Sequence, residues 1–219
     1  MKYQDLYDEL TSGAVPSTLP RRTLRMLEDI ASGRSAIRAI RHPLGFVCLP
    51  VERGGGHGGE HGVCVHLWSG SFPSTGVTTS EVHCHSWDLV SYVLYGQVRN
   101  ELASVADSGA GATHRVFEVV SAGGVDSISP TERTVRYTGG RSGVYRAGDV
   151  YTLPAGVFHR SVVPEGTDTA TIALGSGRHG TDLSLGPLSS RSHRVTRERC
   201  DDEETARAAR LAAEHLART

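Results

Sequence analysis

The sequence predicts an all-β fold, an antiparallel sandwich or small barrel, with helices at both ends of the chain. Between residues 45 and 174, short apolar segments alternate with clusters of Gly, Ser, Asp and Pro. Many short strands at near-regular spacing are typical of such folds. Near both ends, apolar residues recur at helical spacing instead. These patterns divide the chain into an N-terminal helical segment (1–42), a β-barrel (43–175), and a polar linker followed by a C-terminal helix (176–219).

Two helices are predicted in the N-terminal segment. Leu6, Tyr7 and Leu10 share one face of the first helix, which should end before Gly13. The second helix is predicted over residues 20–31 because Leu24, Leu27 and Ile30 form an apolar stripe there, and Gly33 would stop it.

The strands are predicted from the change of period after residue 45. The candidate strands are 45–51, 63–68, 81–85, 90–94, 98–105, 114–120, 134–137, 144–146, 150–153, 159–163 and 169–174. Residues 54–62 form a Gly-rich loop between the first two of them. Residues 176–199 are polar and predict an extended linker or a strap across the barrel.

The C-terminal helix has a clear start signal. Asp201 is a favourable N-cap, and Glu204 follows three residues later at the spacing of a capping box. An apolar side follows, formed by Ala206, Ala209, Leu211, Ala212 and Leu216.

Composition narrows the partners. The chain has 23 basic and 24 acidic residues, so its charge implies no polyanionic partner such as a nucleic acid. The expected partner is a small-molecule substrate, for the reasons given with the metal site below. No apolar run approaches the roughly 20 residues that span a bilayer, so no membrane segment is expected. The N-terminus does not resemble a secretory signal. Cys48, Cys64, Cys84 and Cys200 lack the spacing of a disulfide framework, so we expect a reduced, cytoplasmic protein.

Two segments about seventy residues apart predict a metal site. His83 and His85 are separated by one residue, so on an extended strand both imidazoles project to the same face. Residues 148–159 predict a strand, a tight Pro-x-Gly turn and a returning strand that begins with His159. Two such hairpins would bring three imidazoles together and leave positions open for other ligands of the ion.

These segments resemble the two halves of the signature of the cupin superfamily. The first family motif is a His-x-His pair, an acidic residue and a closing Gly, and the second places Gly, Pro-x-Gly, His and Asn at fixed spacing. The matching positions are His83, His85, Gly96, Gly148, Pro154, Gly156 and His159. Leu89 stands where the family has its glutamate, and Val163 stands where it has Asn. The resemblance implies a double-stranded β-helix, or jelly roll, over residues 43–175 that binds a metal ion through histidines.

Three histidines without the glutamate resemble the metal site of cysteine dioxygenase-type cupins, which bind a thiol and O₂ at Fe(II). The resemblance therefore implies an Fe(II) dioxygenase or related oxygenase acting on a small polar metabolite, thiol or amino-acid-like. Residues 169–175 lack the Ser, His and Tyr partners of that group. Ni²⁺, Mn²⁺ and Zn²⁺ stay open as the metal. A metal-dependent isomerase, lyase or hydrolase without O₂ chemistry, and a non-catalytic small-molecule-binding cupin, stay open as functions.

Four residues are predicted as catalytic groups near the metal. For each of them, a purely structural role, at the surface or in packing, is the alternative interpretation. Glu81, two positions before the His-x-His pair, can orient an imidazole or act as a base. Tyr92 and Tyr151 can donate phenol hydrogen bonds to substrate or oxygen. Arg99, just past the closing Gly, can bind a substrate carboxylate. Asp88, one position from the missing glutamate, is an alternative carboxylate ligand.

Three other features are interpreted as structural. The loop that carries His57 and His61 is expected to be a solvated hairpin tip. Strand alternation points Cys84 away from the two histidines beside it, so we expect it to pack in the core. Residues 191–199 are mildly basic and typical of a solvated face. A homodimer is compatible with the cupin resemblance, and the terminal helices can cover either a sheet or a partner.

Overall fold

A computed structural model of the chain describes residues 1–54, 61–72, 80–177 and 180–218. The helices are α1 (Tyr3–Thr11), α2 (Leu19–Ala31) and α3 (Asp202–Leu216). The strands are β1 (Ile40–His42), β2 (Phe46–Gly54), β3 (His61–Trp68), β4 (His83–Cys84), β5 (Asp88–Tyr95), β6 (Gln97–Asp107), β7 (His114–Ala122), β8 (Val125–Arg146), β9 (Val150–Leu153), β10 (His159–Val162), β11 (Thr169–Ser176), β12 (Asp182–Gly186) and β13 (His193–Thr196).

The strands form two antiparallel sheets, and the fold class predicted from the sequence is confirmed. The first, which we call the helix-covered sheet, has the order β1-β2-β3-β11-β5-β9. The second, the histidine sheet, has the order β13-β8-β6-β10-β4-β12-β7, and the long β8 also pairs with β7. Several neighbouring strands, such as β3 and β11 or β4 and β12, come from distant parts of the chain, as in a jelly roll.

The three helices cover the outer face of the helix-covered sheet. Leu6 of α1, Leu27 of α2 and Ala212 of α3 belong to one buried cluster with Val65 and Ile172 of the sheet. The capping interaction predicted for α3 is confirmed, because the Asp201 side chain accepts a 2.8 Å hydrogen bond from the Glu204 backbone N–H. Within the described ranges, no helix has the length and apolar character needed to cross a bilayer.

A second apolar cluster lies between the two sheets. Leu89, Val93 and Ala173 of the helix-covered sheet meet Val98 of β6 there. Residues on β5 therefore alternate between the helix side and the barrel interior, and both sides are buried. The interior face of β5 is directed towards the histidine sheet.

Two segments differ from their predicted structure. Residues 176–199 are not a plain linker, because β12 and β13 lie within them and pair with the histidine sheet. Residues 32–42 are not helical, because β1 pairs with β2 there. The sheets thus extend beyond 43–175 at both ends, and the division into domains at those residues stays a prediction.

Gly96, which closes the first motif, lies where another strand passes too close for a side chain. Its φ is +78°, in the left-handed region that favours glycine. A Cβ built at this position would lie 2.5 Å from the Asp168 carbonyl oxygen and 2.8 Å from Thr169 Cα. Both atoms are backbone, so a side chain cannot be accommodated by rotating a neighbour. The absence of a side chain at Gly96 thus lets the turn between β5 and β6 pack directly against the start of β11.

Replacing Gly96 with Ala should destabilise the fold by several kcal/mol. The left-handed backbone alone costs Ala about 1–2 kcal/mol, and the displaced backbone adds to that cost. Gly156→Ala is the matched control, because its φ is +77° but nothing lies within 4 Å of the added Cβ. Urea unfolding of both variants gives the comparison. Equal losses of stability would contradict the proposed close approach at Gly96.

Candidate metal centre

His83, His85 and His159 come together at the centre of the histidine sheet. His159, at the start of β10, pairs directly with His83 of β4 in antiparallel register. The ring centroids lie 4.5 Å apart for His83 and His159, 4.8 Å for His83 and His85, and 5.2 Å for His85 and His159. One ring nitrogen from each residue lies within 4.8 Å of the other two. The structure thus brings together the three histidines predicted from the sequence.

The Pro-x-Gly turn holds His159 beside the first motif. The Gly156 N–H donates to the His85 carbonyl oxygen over 2.8 Å, and the Ala155 N–H donates to Asp88 Oδ1 over 2.8 Å. The turn is therefore anchored on the segment that carries His85. The Asp88 carboxylate accepts this hydrogen bond from the turn and does not join the three histidines as a potential metal ligand. The alternative that Asp88 binds the metal is therefore not supported.

Main-chain carbonyls orient two of the imidazoles. His83 Nδ1 lies 2.9 Å from the Glu81 carbonyl oxygen, and His159 Nδ1 lies 2.9 Å from the Val157 carbonyl oxygen. A carbonyl oxygen only accepts, so Nδ1 carries the proton in each ring and Nε2 keeps its lone pair. His85 is held differently, by stacking on Trp87 at a centroid distance of 4.1 Å.

The environment keeps all three rings uncharged. Burial lowers the pKa of His83, with the Glu81 carbonyl opposing the shift. Burial, reinforced by repulsion from His83 and His159, places the pKa of His85 well below its ordinary value. Burial and His83 lower the pKa of His159 to about 3. Neutral imidazoles with available lone pairs are the form that binds metal, so the donor set fits a divalent cation.

No carboxylate joins these rings among the residues that the structure describes. Leu89 of β5 occupies the motif position of the family glutamate and lies in the apolar cluster between the sheets. Three neutral ligands leave the charge of a divalent ion uncompensated and leave coordination positions open. Such a centre favours an anionic or polarisable exogenous ligand. His83 and His85 are only partly buried, whereas His159 is 2% exposed.

The barrel interior also contains polar side chains that lack partners. Ser91 Oγ, Asn100 Nδ2 and Thr171 Oγ1 are buried and make no hydrogen bond with the residues described. Ser161, on the same face as His159, donates to Asn100 Oδ1 over 2.8 Å. Buried polar groups are normally paired, so unpaired ones beside a candidate site indicate that they face a ligand or water.

Tyr151, predicted as a hydrogen-bond donor to substrate, lies in this interior. It lies in the cluster between the sheets, and its ring lies 4.7 Å from that of Tyr145. Burial raises the pKa of the Tyr151 phenol, and polar interactions with the nearby Ser91 and Asn100 side chains oppose the rise. The phenol therefore stays protonated at neutral pH and can donate to a bound molecule.

The predicted orientation of Arg99 is corrected. Arg99 is exposed on the outer face of β6 and forms a 2.8 Å ion pair with Glu101. Asn100, the next residue, takes the inward position and is 2% exposed. The pairing of Ser161 with Asn100 and of Val162 with Arg99 sets this register.

The roles expected of Glu81 and Tyr92 are corrected as well. The Glu81 carboxylate is 56% exposed and lies 3.6 Å from Arg160, so only its main-chain carbonyl serves His83. Strand alternation does not reach Glu81, because β4 is two residues long and starts after it. Tyr92 packs in the cluster under the helices, on the face of β5 opposite to Ser91 and Val93.

The structural interpretation of Cys84 is confirmed. It packs with Val82, Phe158 and Leu185, and burial raises the pKa of its thiol to about 11. His57 lies outside the described residues, and of His61 only the backbone is described. The interpretation of their loop therefore stays a prediction.

Sequence reasoning missed Ser91, Asn100 and Thr171. A signal for Asn100 was present, because it lies one residue from the predicted Arg99, on a strand with polar residues on both faces. Ser91 and Thr171 interrupt strands that are otherwise almost entirely apolar. A polar residue in a strand buried on both faces is the pattern that marks them.

Comparisons with known proteins add little to this geometry. No profile of a known protein family matches the chain, and no curated protein matches it. Among solved structures, the chain is similar to pumpkin seed globulin with a TM-score of 0.25 and 14% identity. That alignment covers 71% of this chain and 37% of the globulin, so the chain spans little more than a third of it.

Metal-free protein should lose stability as the pH falls below about 6.5, the ordinary histidine value. The folded-state pKa values of the three histidines are lowered, so below pH 6.5 the unfolded chain binds more protons. Their contribution is present above that pH and is lost towards pH 3 for His159. Each such group contributes a slope of about 1.4 kcal/mol per pH unit within this window.

Urea unfolding of metal-free protein at several pH values measures this slope. The variant His159→Gln removes one titrating group while keeping a polar side chain of similar size. Its free energy of unfolding should depend less steeply on pH, by about 1.4 kcal/mol per unit. A slope that is unchanged in the variant would contradict a buried, neutral His159.

Proposed function

We propose that this chain is a metal-dependent enzyme of the cupin type, an Fe(II) oxygenase or dioxygenase acting on a small polar metabolite that is thiol- or amino-acid-like. The observation that supports the proposal most is the set of three uncharged imidazoles, which no carboxylate of the described residues joins as a fourth ligand. An ion held this way keeps its full charge and open positions, which suits binding of an anionic substrate group together with O₂.

The bound ion would supply Lewis acidity and, as iron, one-electron chemistry with O₂. The protein's own groups determine its position. The carbonyls of Glu81 and Val157 fix the planes of two rings by accepting from Nδ1. Trp87 fixes the third ring by stacking, and the anchored Pro-x-Gly turn keeps His159 in register with His83. Such outer contacts keep ligands in one tautomer and orientation.

The interior side chains supply the substrate-binding groups in this proposal. The Tyr151 phenol and Asn100 Nδ2 offer protons, and Ser91 Oγ can donate or accept. A substrate with two or more polar groups would satisfy atoms that are otherwise buried without partners. Leu89 and Val93 supply the apolar part of the wall and limit access of water.

Purified protein should bind close to one equivalent of Fe²⁺, Ni²⁺, Mn²⁺ or Zn²⁺ per chain at this site. Replacing His159 with Ala should weaken that binding more than about 100-fold, since changes to groups that merely support a ligand already cost 10–100-fold. Calorimetric titration of the stripped protein with each ion measures the affinity. His114→Ala is the control, because His114 lies on β7 and contacts Thr113 and Tyr137.

The two variants separate a site-specific effect from a general one. If His159→Ala binds Fe²⁺ or Mn²⁺ as tightly as the unaltered protein, the three-histidine centre is refuted; Zn²⁺ does not decide this point, because it also binds cysteine side chains elsewhere in a protein. Equal weakening in His114→Ala would point to surface binding and would refute it as well.

The iron-loaded protein should consume O₂ when supplied with its substrate. A panel of small thiols and amino acids, followed with an oxygen electrode, provides the test. We expect uptake with at least one member of the panel, and loss of that uptake in His159→Ala. Turnover of a substrate without O₂ uptake would replace the oxygenase with a metal-dependent isomerase, lyase or hydrolase. Ligand binding that survives in His159→Ala, without turnover, would indicate a binding protein instead.

A further inference from the structure

A second group of metal-ligating side chains lies in the barrel, on the sheet opposite to the three histidines. Cys48 of β2 and Cys64 and His66 of β3 place one sulfur or nitrogen atom each within 4.8 Å of the other two. Cys48 is buried, whereas Cys64 and His66 are partly buried. None of these residues contributes to the site proposed above.

The strand register explains why these three side chains converge. Cys48 is directly opposite His66 in the antiparallel β2–β3 pair, and Cys64 precedes His66 by two residues. Directly opposed residues share a face, as do residues two apart on a strand. Val47, Leu49, Val63 and Val65 occupy the other face and pack under the helices. The two cysteines and the histidine therefore face the barrel interior.

This arrangement suits a metal ion better than a disulfide. Cys48 and Cys64 are diagonal neighbours, and diagonal pairs in antiparallel sheets have Cα atoms about 7–8 Å apart. A disulfide needs Cα atoms closer than about 7 Å. Two thiolates on one zinc ion, each about 2.3 Å from it, need sulfur atoms only within about 4 Å of each other. A side-chain rotation closes the remaining gap.

The charges of the three ligands also favour a bound metal ion. Two thiolates and a neutral imidazole cancel the charge of a divalent cation, so the filled site adds no net charge to the interior. Binding releases the two thiol protons to solvent, which balances the charge of the reaction. The neutral product can coexist with a divalent ion at the three-histidine centre in the same barrel.

An independent observation marks an open ligand position. Thr171 of β11 is directly opposite His66 on the other side of β3, so their side chains share the interior face. Thr171 is fully buried, and its Oγ1 makes no hydrogen bond within the described part of the chain. A water molecule on the fourth position of a tetrahedral ion would give this hydroxyl a partner.

We infer that Cys48, Cys64 and His66 form a second metal site, selective for a thiophilic divalent cation such as Zn²⁺, on the inner face of the helix-covered sheet. The site has two sulfur ligands, one nitrogen ligand and a fourth position beside Thr171. Softer sulfur donors distinguish it from the all-nitrogen centre, so the two sites prefer different ions. It does not rest on the function proposed for the three histidines.

Cobalt provides the spectroscopic test, because thiolate-bound Co²⁺ absorbs in the near ultraviolet and imidazole-bound Co²⁺ does not. The full-length protein is reduced, stripped with a chelator and titrated with Co²⁺. We expect a thiolate band that is displaced by Zn²⁺ and that reaches its maximum at one equivalent of Co²⁺ in His159→Ala, where the three-histidine centre is disrupted. Cys64→Ala should lose the band, whereas His159→Ala should keep it. Cys200→Ala is the matched control, because Cys200 is also buried but belongs to the apolar cluster between the helices and the helix-covered sheet, outside the proposed site.

Protection from alkylation gives a second measurement that needs no variant. Saturating Zn²⁺ should slow alkylation of Cys48 and Cys64 at least tenfold relative to Cys200 in the same sample. Absence of the cobalt band in protein with four reduced thiols, or its persistence in Cys64→Ala, would overturn the inference. Equal alkylation of all three cysteines with and without Zn²⁺ would overturn it too.

Discussion

The antiparallel pairing of His159 with His83 is the contact on which the candidate site depends. β4 is only two residues long, and it joins β10 on one side to β12 on the other. Without that pairing, the two motifs would be separate hairpins with no common centre. The Pro-x-Gly turn stabilises this pairing by donating hydrogen bonds to the carbonyl of His85 and the carboxylate of Asp88. A small set of backbone contacts therefore determines where three distant imidazoles meet.

Burial gives these imidazoles their chemical character. Burial lowers the pKa of each ring, and the carbonyls of Glu81 and Val157 select the tautomer of two of them. The interior thus offers uncharged nitrogen donors, together with hydroxyl oxygens and one amide nitrogen that form no hydrogen bond with any described residue. On the opposite sheet, two thiols and an imidazole converge with different donor chemistry. One barrel can in this way present two kinds of metal ligand towards the same space.

The parts of the fold that depend on local chemistry could be predicted from the sequence. The three histidines, the capping of α3 by Asp201 and the closing Gly96 each follow from spacing or backbone geometry. Inward or outward orientation could not be predicted for Arg99 and Tyr92. β6 carries polar residues on both faces, and β5 is apolar on both faces, so neither strand shows an alternation. Only the long-range pairing of these strands with β10 and β11 determines which side chains face the barrel interior.

The cysteine–histidine group escaped sequence reasoning for the same reason. Cys48 and Cys64 are sixteen positions apart, and their convergence depends on the register of the β2–β3 pair. The local signal, Cys-x-His at strand spacing, is weak until the opposing strand is known.

Anomalous diffraction from crystals of metal-loaded protein tests the three-histidine centre most directly. The predicted result is a peak at the metal's absorption edge among the rings of His83, His85 and His159, in contact with the Nε2 atoms of His83 and His159. If metal-loaded crystals show no peak among these rings, the account is contradicted, whether or not metal is bound elsewhere in the chain.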